Sequence, residues 1–162
     1  MTPEDPKPLP PPAFLPTDVR HSLPMALLRA RESVMRQFRP MLEAHGVNDQ
    51  QWRVLRVLAE AGALDASDVA MRANILAPSL TRMIRSMADR GLIEKGRDDA
   101  DARRVMLCIA PAGMAVIRAA SPESRRIYHE IEARFGQERM EQLVDLLNGL
   151  CQIDPEPGEA DG

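Results

Sequence analysis

"APSLTRMIRSMADRGLIEKGRDDADARRVMLCI", residues 77–109, decides the fold. A helix begins at "APSLTR", where Pro78 suits a first turn because its missing N–H has no helical partner there, and Gly91 stops it. Two alternating runs follow, "LIEKGR" and "RVMLCI", separated by a polar loop, and this spacing predicts a β-hairpin. Just upstream, "LDASDVAMRA" predicts a short helix from about Ala66 to Arg72 with Asp65 as its cap. Two short helices joined by a tight turn have helix-turn-helix form. With the hairpin after them they make a winged helix.

Working outward, "HGVNDQQWRVLRVLAEAG" opens another helix, with Asn48 as N-cap, Gln51 three residues on, and Gly62 past the end. Trp52, Leu55 and Leu58 form its expected buried stripe. Upstream of it, Leu23, Leu27, Ala30, Val34, Phe38, Met41 and Leu42 recur at helical spacing and predict a first helix from about Val19 to Ala44. Pro40 is expected to end or kink it near Arg39. Downstream, "PAGMAVIRAASPESRRIYHEIEARFG" and "QERMEQLVDLLNGLCQI" predict two final helices, the first kinked at Ser121-Pro122 and the second edged by Leu143, Leu146, Leu147 and Leu150. These flanking helices carry more apolar surface than a lone winged helix could cover, so a helical homodimer is expected. The expected architecture is therefore mainly α with a small β-hairpin: a winged helix-turn-helix over about 48–110, with homodimerisation helices over about 19–45 and 111–153. The whole domain is expected to span 19–153.

The ends differ from this core. Seven of the fourteen prolines lie in residues 1–16, which predicts an extended or disordered arm over 1–18. Residues 154–162, "DPEPGEADG", predict a disordered acidic tail. No long uncharged apolar stretch occurs and the N-terminus lacks the parts of a signal peptide, so a cytoplasmic protein is expected.

The net charge of −3 argues against nucleic acid only until the charges are placed. Without the tail's four carboxylates the balance becomes 21 bases against 20 acids. Between Arg72 and Arg104 there are eight basic residues against five acids. Phosphate binding needs this local excess rather than a positive total.

The second short helix is the expected DNA reader. Ser79 and Thr81 bring hydroxyls for phosphates or base edges, and Arg82 and Arg85 share a face from which they reach guanine or backbone. The plain alternative is a solvated amphipathic helix with surface arginines. In the loop, Asp101 stands two residues from Arg103, and a carboxylate so placed can fix a guanidinium before it enters a narrow minor groove. Asp98 and Asp99 brace Arg97 or Arg104, or simply face water. Salt-bridged surface decoration is the competing account of this loop.

Catalysis is not indicated. His21, His45 and His129 are scattered, and no Ser/His/Asp constellation, phosphate-binding glycine loop, carboxylate pair or metal cluster stands out. No cofactor or metal is expected. Cys108 and Cys151 lie far apart without CxxC spacing and are expected as small apolar core residues.

"DARRVMLCIAPAG" resembles the wing signature of the MarR family of bacterial transcription regulators, with Asp101, Arg103, Leu107 and Gly113 in the family's places. Ala110 departs from it, standing where the family usually has threonine, which loosens the start of the following helix. "SLPMALLRARE", "FRPMLEAHG", "QQWRVLR", "ILAPSLTR" and "RFGQERMEQLVDLLNGL" are similar to the family's homoprotocatechuate-degradation repressor branch, and together they cover nearly all of Ser22 to Ile153. The resemblance implies a dimeric repressor that leaves operator DNA when a small aromatic acid from a catabolic pathway binds between the dimerisation helices and the DNA-binding lobe. A phenolic carboxylate needs an apolar slot, a cation and polar groups. Ser22, Met25, Arg29 and Arg31 from the first helix, with Gln51 and Trp52 from the second, are the expected ligand residues. Trp52 also suits the core, and Arg31 also suits pairing with Glu32 or Asp18. Two rivals remain: a thiol-based redox regulator of the same family, though neither cysteine is in the first helix, where the family's peroxide sensors keep theirs, and an interaction module that no longer binds DNA.

Overall fold

The computed structural model describes residues 22–97 and 104–153, and it divides into two compact units at Arg39 and Pro40. Helix α1 spans Leu23–Ala44, α2 Asp49–Ala61, α3 Ala66–Ala73, α4 Ala77–Asp89, α5 Pro111–Phe135 and α6 Gln137–Leu150. Strands β1 (Leu64–Asp65), β2 (Ile93–Arg97) and β3 (Val105–Ile109) form one antiparallel sheet in the order β1-β3-β2. This is the expected winged helix-turn-helix. The expected arm over 1–18, the tail over 154–162 and the loop carboxylates Asp98, Asp99 and Asp101 with Arg103 lie outside the described residues.

Local chemistry sets the helix ends. The Asn48 side chain accepts the Gln51 N–H at 2.9 Å while the Gln51 side chain accepts the Asn48 N–H at 3.1 Å, closing a reciprocal capping box at the start of α2. Gly62 follows α2 at φ 79°, a backbone conformation that costs glycine least. Asp65 caps α3 by accepting the Asp68 N–H at 2.8 Å. Asn74 ends that helix in the left-handed region at φ 49°, tolerable for asparagine, and produces the tight turn into α4.

The core of the second unit forms where these elements converge. Val54, Leu55 and Leu58 of α2, Val69 of α3, Leu80 and Met87 of α4, Ile93 and Leu107 of the sheet are all buried. Trp52 is only half-buried, and Val54 takes the place expected of it in the stripe. Gly113 lets α5 lie directly against the Leu92 carbonyl, which accepts the Ala110 N–H at 3.1 Å. Ala110 caps α5 without a side-chain hydrogen bond, as its departure from threonine implies, yet it is itself buried.

Of the two outcomes expected at Pro40, an end or a kink, the end does not occur, since α1 continues to Ala44. The missing N–H of Pro40 removes one hydrogen bond, but the next residues, Met41 and Leu42, are fully buried, so tertiary packing outweighs the local loss. The sheet has a third strand, the two-residue β1, which pairs Leu64 with Leu107 and Asp65 with Met106. The cysteines are not a core pair: Cys108 is half-buried in β3 and Cys151 is exposed. Helix α5 runs unbroken through Pro122, where Ser121 Oγ donates to the Ile117 carbonyl at 2.6 Å.

Helix α6 buries no residue, and Leu143, Val144 and Leu146 are exposed. In the first unit Leu23, Leu27 and Val34 of the α1 stripe are exposed as well, whereas Phe38 is buried.

Candidate nucleic-acid interface

Helix α4 has two faces. Leu80, Met83, Ile84 and Met87 are buried. Ser79, Thr81, Arg82 and Arg85 are exposed, and neither arginine pairs with a carboxylate among the described residues. The inward face holds the helix in place and the outward one presents two free guanidinium groups from a rigid support. Thr81 is less available than expected, because its hydroxyl donates to the Ala77 carbonyl at 3.2 Å. It keeps only acceptor capacity for a ligand.

Beside α4 lies an open groove of about 390 Å³, lined by Asn48, Gln50 and Gln51 of the α2 start and by Pro78, Ser79, Arg82, Met83 and Ser86 of α4. Gln51 therefore faces the reading helix. Its side-chain oxygen is held by the cap and also accepts from Arg90 at 3.4 Å. That leaves its amide N–H groups, and not its acceptor, for the effector role expected of it. Trp52 is not among the walls of this groove.

Arg53 is a positioning residue that the sequence did not reveal. Its Nη1 donates to the Ala73 carbonyl at 2.6 Å and to the Asn74 carbonyl at 2.9 Å, and its Nη2 lies 3.8 Å from Asp49. A cation is thereby placed on the C-terminal carbonyls of α3, where the helix dipole favours it, and α2 is tied to the turn that launches α4. Replacing Arg53 by methionine, which keeps the apolar stem, is expected to cost about 2 kcal/mol of stability through the two lost charge-assisted bonds. Urea unfolding with an unchanged m-value would measure it; an unaltered midpoint would show that the tie is dispensable.

The base of the wing is also tied down. Arg104 forms an ion pair with Asp65, joining the start of β3 to the α3 cap. The loop carboxylates expected as its brace lie outside the described residues, but Asp65 already supplies one. The Asp68 N–H first, and then the Arg104 guanidinium, hold the Asp65 carboxyl below its ordinary value. A carboxyl depressed in the folded state contributes stability that is complete above its unfolded value, about 3.9, and is lost as pH falls below it. The melting temperature of the wild type should therefore drop more steeply between pH 5 and pH 3 than that of Asp65→Asn, which keeps a cap acceptor but does not titrate. Parallel curves would exclude this linkage. Glu32, held low by Arg39 at 2.6 Å, titrates alike in both proteins and cancels from the comparison.

The backbone of Arg97 ends β2 opposite Val105. Among the expected effector residues of the first unit, Ser22 is half-buried and Met25, Arg29 and Arg31 are exposed. Of the two carboxylates expected as partners for Arg31, Glu32 forms a two-pronged bond with Arg39, and Asp18 lies outside the described residues. The Cys108 thiol donates to the Glu94 carbonyl at 3.8 Å within the sheet, and neither cysteine is in α1. Among the described residues no cluster of potential metal ligands occurs, and no helix is long and apolar enough to cross a membrane.

Comparison with known proteins agrees with this architecture. The family model described as MarR family matches residues 45–104. The chain is 40% identical over 132 residues to the homoprotocatechuate degradative operon repressor of Escherichia coli, covering 82% of this chain and 89% of that protein. It is 40% identical over 141 residues to the HTH-type transcriptional regulator FarR of Neisseria gonorrhoeae, covering 86% and 97% respectively. The crystal structure of NadR in complex with 4-hydroxyphenylacetate matches with a TM-score of 0.75 at 40% identity, over 86% of this chain and 100% of that one. The wing signature, the helix order and this extent of identity agree, and the chain belongs to the MarR family of winged helix-turn-helix transcription regulators.

Proposed function

We propose that this chain is a cytoplasmic repressor of genes for aromatic-compound breakdown, that it binds operator DNA as a homodimer, and that a small phenolic or aromatic carboxylic acid releases it. The DNA part rests on the outward face of α4, where Arg82 and Arg85 pair with no carboxylate among the described residues and stand over a buried inner face. That helix enters the major groove with Ser79, Thr81, Arg82 and Arg85. The wing, with Asp101 orienting Arg103 and with Arg97 and Arg104 at its base, takes the minor groove.

The uncovered apolar surfaces of α6 and of α1 are what a second copy would bury. The domain acting in this way spans 19–153. The effector class is carried by the 40% identity to NadR, whose structure holds 4-hydroxyphenylacetate, and by that to a repressor named for homoprotocatechuate degradation. Ser22, Met25, Arg29, Arg31 and Trp52 are proposed to receive the acid, with Gln51 contributing its amide N–H groups.

Release follows from spacing. Two reading helices must lie about 34–36 Å apart to meet successive turns of one DNA face. A ligand that binds more tightly to a dimer with another spacing weakens both half-sites together. The test is to recover a binding duplex from a random pool with the full-length protein. Affinity is then measured at fixed salt with 4-hydroxyphenylacetate, 3,4-dihydroxyphenylacetate and hydroxycinnamates. A loss of affinity of about ten-fold or more with one acid is expected. Tight binding that none of them disturbs would reject the effector class, and failure to select any duplex would reject the DNA reading.

A further inference from the structure

The start of the recognition helix breaks a rule that the same unit obeys elsewhere. Asn48 caps α2 and Asp65 caps α3 through side-chain oxygens. The N-cap of α4 is Leu76, with φ −64° and ψ 135° and no side-chain hydrogen bond. Leucine is among the poorer residues for this position, where Ser, Thr, Asp and Asn each satisfy an otherwise open backbone N–H. Leu76 does not recover the loss by packing. It is 79% exposed, the most exposed large apolar side chain among the described residues, while its neighbour Ile75 is buried. At α5 and α6, which also lack a side-chain cap, the cap residue is the buried Ala110 or a glycine. Among the N-caps of α2 to α6, Leu76 alone gives up both the cap and the core.

A local conflict of this kind, with no gain inside the fold, marks a functional position. The position is specific. In helix-turn-helix proteins the N-terminal residues of the reading helix are those that reach the base edges. Leu76 immediately precedes Ala77, the first residue of α4, and the free arginines Arg82 and Arg85 follow on the same helix. Met71, five residues earlier in the last turn of α3, is 71% exposed as well. The major-groove floor offers one apolar group to a side chain, the C5 methyl of thymine.

We propose that Leu76 is a specificity-determining residue that reads a thymine methyl in each half-site, so that the operator is selected partly by an apolar contact at the head of α4. This rests on the DNA reading of the preceding subsection. Burying one methyl-sized group corresponds to about four-fold in affinity per half-site and about sixteen-fold when both half-sites are changed.

The experiment uses the full-length protein and the duplex recovered by selection. Each thymine is replaced in turn by deoxyuridine, symmetrically in the two half-sites, which removes the methyl and leaves the base-pairing edge intact. Wild type, Leu76→Ala and Leu76→Asn are compared. In the wild type, one thymine position is expected to show a loss of about sixteen-fold. In Leu76→Ala the same replacement has no effect, and the dependence of affinity on salt is the same as in the wild type because no phosphate contact is removed. Leu76→Asn restores a cap, so its melting temperature rises while its affinity falls, which separates recognition from folding. A wild-type uracil scan with no sensitive position overturns the proposal, as does a sensitive position equally sensitive in Leu76→Ala. If no duplex is selected at all, the DNA reading fails first and this inference falls with it.

Discussion

Gly113→Ala is expected to lower the unfolding free energy by about 3 kcal/mol, although it adds a single methyl group. A Cβ on residue 113 would overlap the Leu92 carbonyl oxygen and stand 2.9 Å from Ile109 Cγ1 and 3.0 Å from Leu55 Cδ2. The side chains can yield slightly, but the carbonyl cannot, because it accepts the Ala110 N–H that joins the start of α5 to the wing. Relief requires α5 to move away from the sheet, opening the region around the buried Leu55 and Leu107. Gly149→Ala is the control. Nothing lies within 4 Å of a Cβ there, and a helical alanine should leave stability unchanged or raise it by up to about 1 kcal/mol. Urea unfolding of the three proteins measures both effects. A wild-type midpoint for Gly113→Ala would mean that α5 does not approach the sheet as closely as described.

The double variant Arg82→Ala/Arg85→Ala is expected to lose at least about a thousand-fold in operator affinity, since each arginine carries about 1–3 kcal/mol and is present in both half-sites. Its fold should be untouched. Both side chains are exposed and neither joins an ion pair among the described residues, so the melting temperature should match that of the wild type. The salt dependence then separates two modes of contact. If all four guanidinium groups of a dimer neutralise phosphates, the slope of log affinity against log salt becomes less negative by about 3–4. If they read guanine edges, the slope hardly changes and discrimination between bases relaxes instead. Unaltered affinity would remove α4 from the interface.

Under the proposed function, Leu76, Arg53 and these arginines divide the labour of the helix-turn-helix. Arg53 holds the turn from behind through the Ala73 and Asn74 carbonyls. The buried Leu80, Met83, Ile84 and Met87 seat α4 on the core, and the exposed residues at its start are those proposed to meet DNA. Arg104, paired with Asp65, attaches the start of β3 to the α3 cap.

Much of this was legible in the chain because the signals are local. Asn48 with Gln51, Asp65, Gly62, Pro78 and Gly91 act within a few residues of themselves, and each helix end they predict is present. The hairpin was legible from two alternating runs and a polar loop. The helix end that Pro40 could have imposed does not occur, because a local rule meets the burial of Met41 and Leu42, which packing alone determines. Strand β1 could not be seen, since two residues carry no periodicity and become a strand only by pairing with β3. The candidate site followed the same division. The residue types on α4 could be named in advance, but which of them keep a free donor could not, because Thr81 spends its hydroxyl on Ala77 and Gln51 its oxygen on a cap.

The sequence by itself determined the order of elements, the caps and turns that delimit them, and the placement of the helix-turn-helix and the hairpin, because helix starts, glycine stops and periodicity depend on neighbours along the chain. Only the tertiary structure decided that Arg104 meets Asp65, 39 residues away, that Arg53 serves the turn after α3, that Gly113 cannot carry a side chain and that Leu76 is left in water. Those facts depend on distances between segments remote in sequence, and such distances exist only once the core has packed.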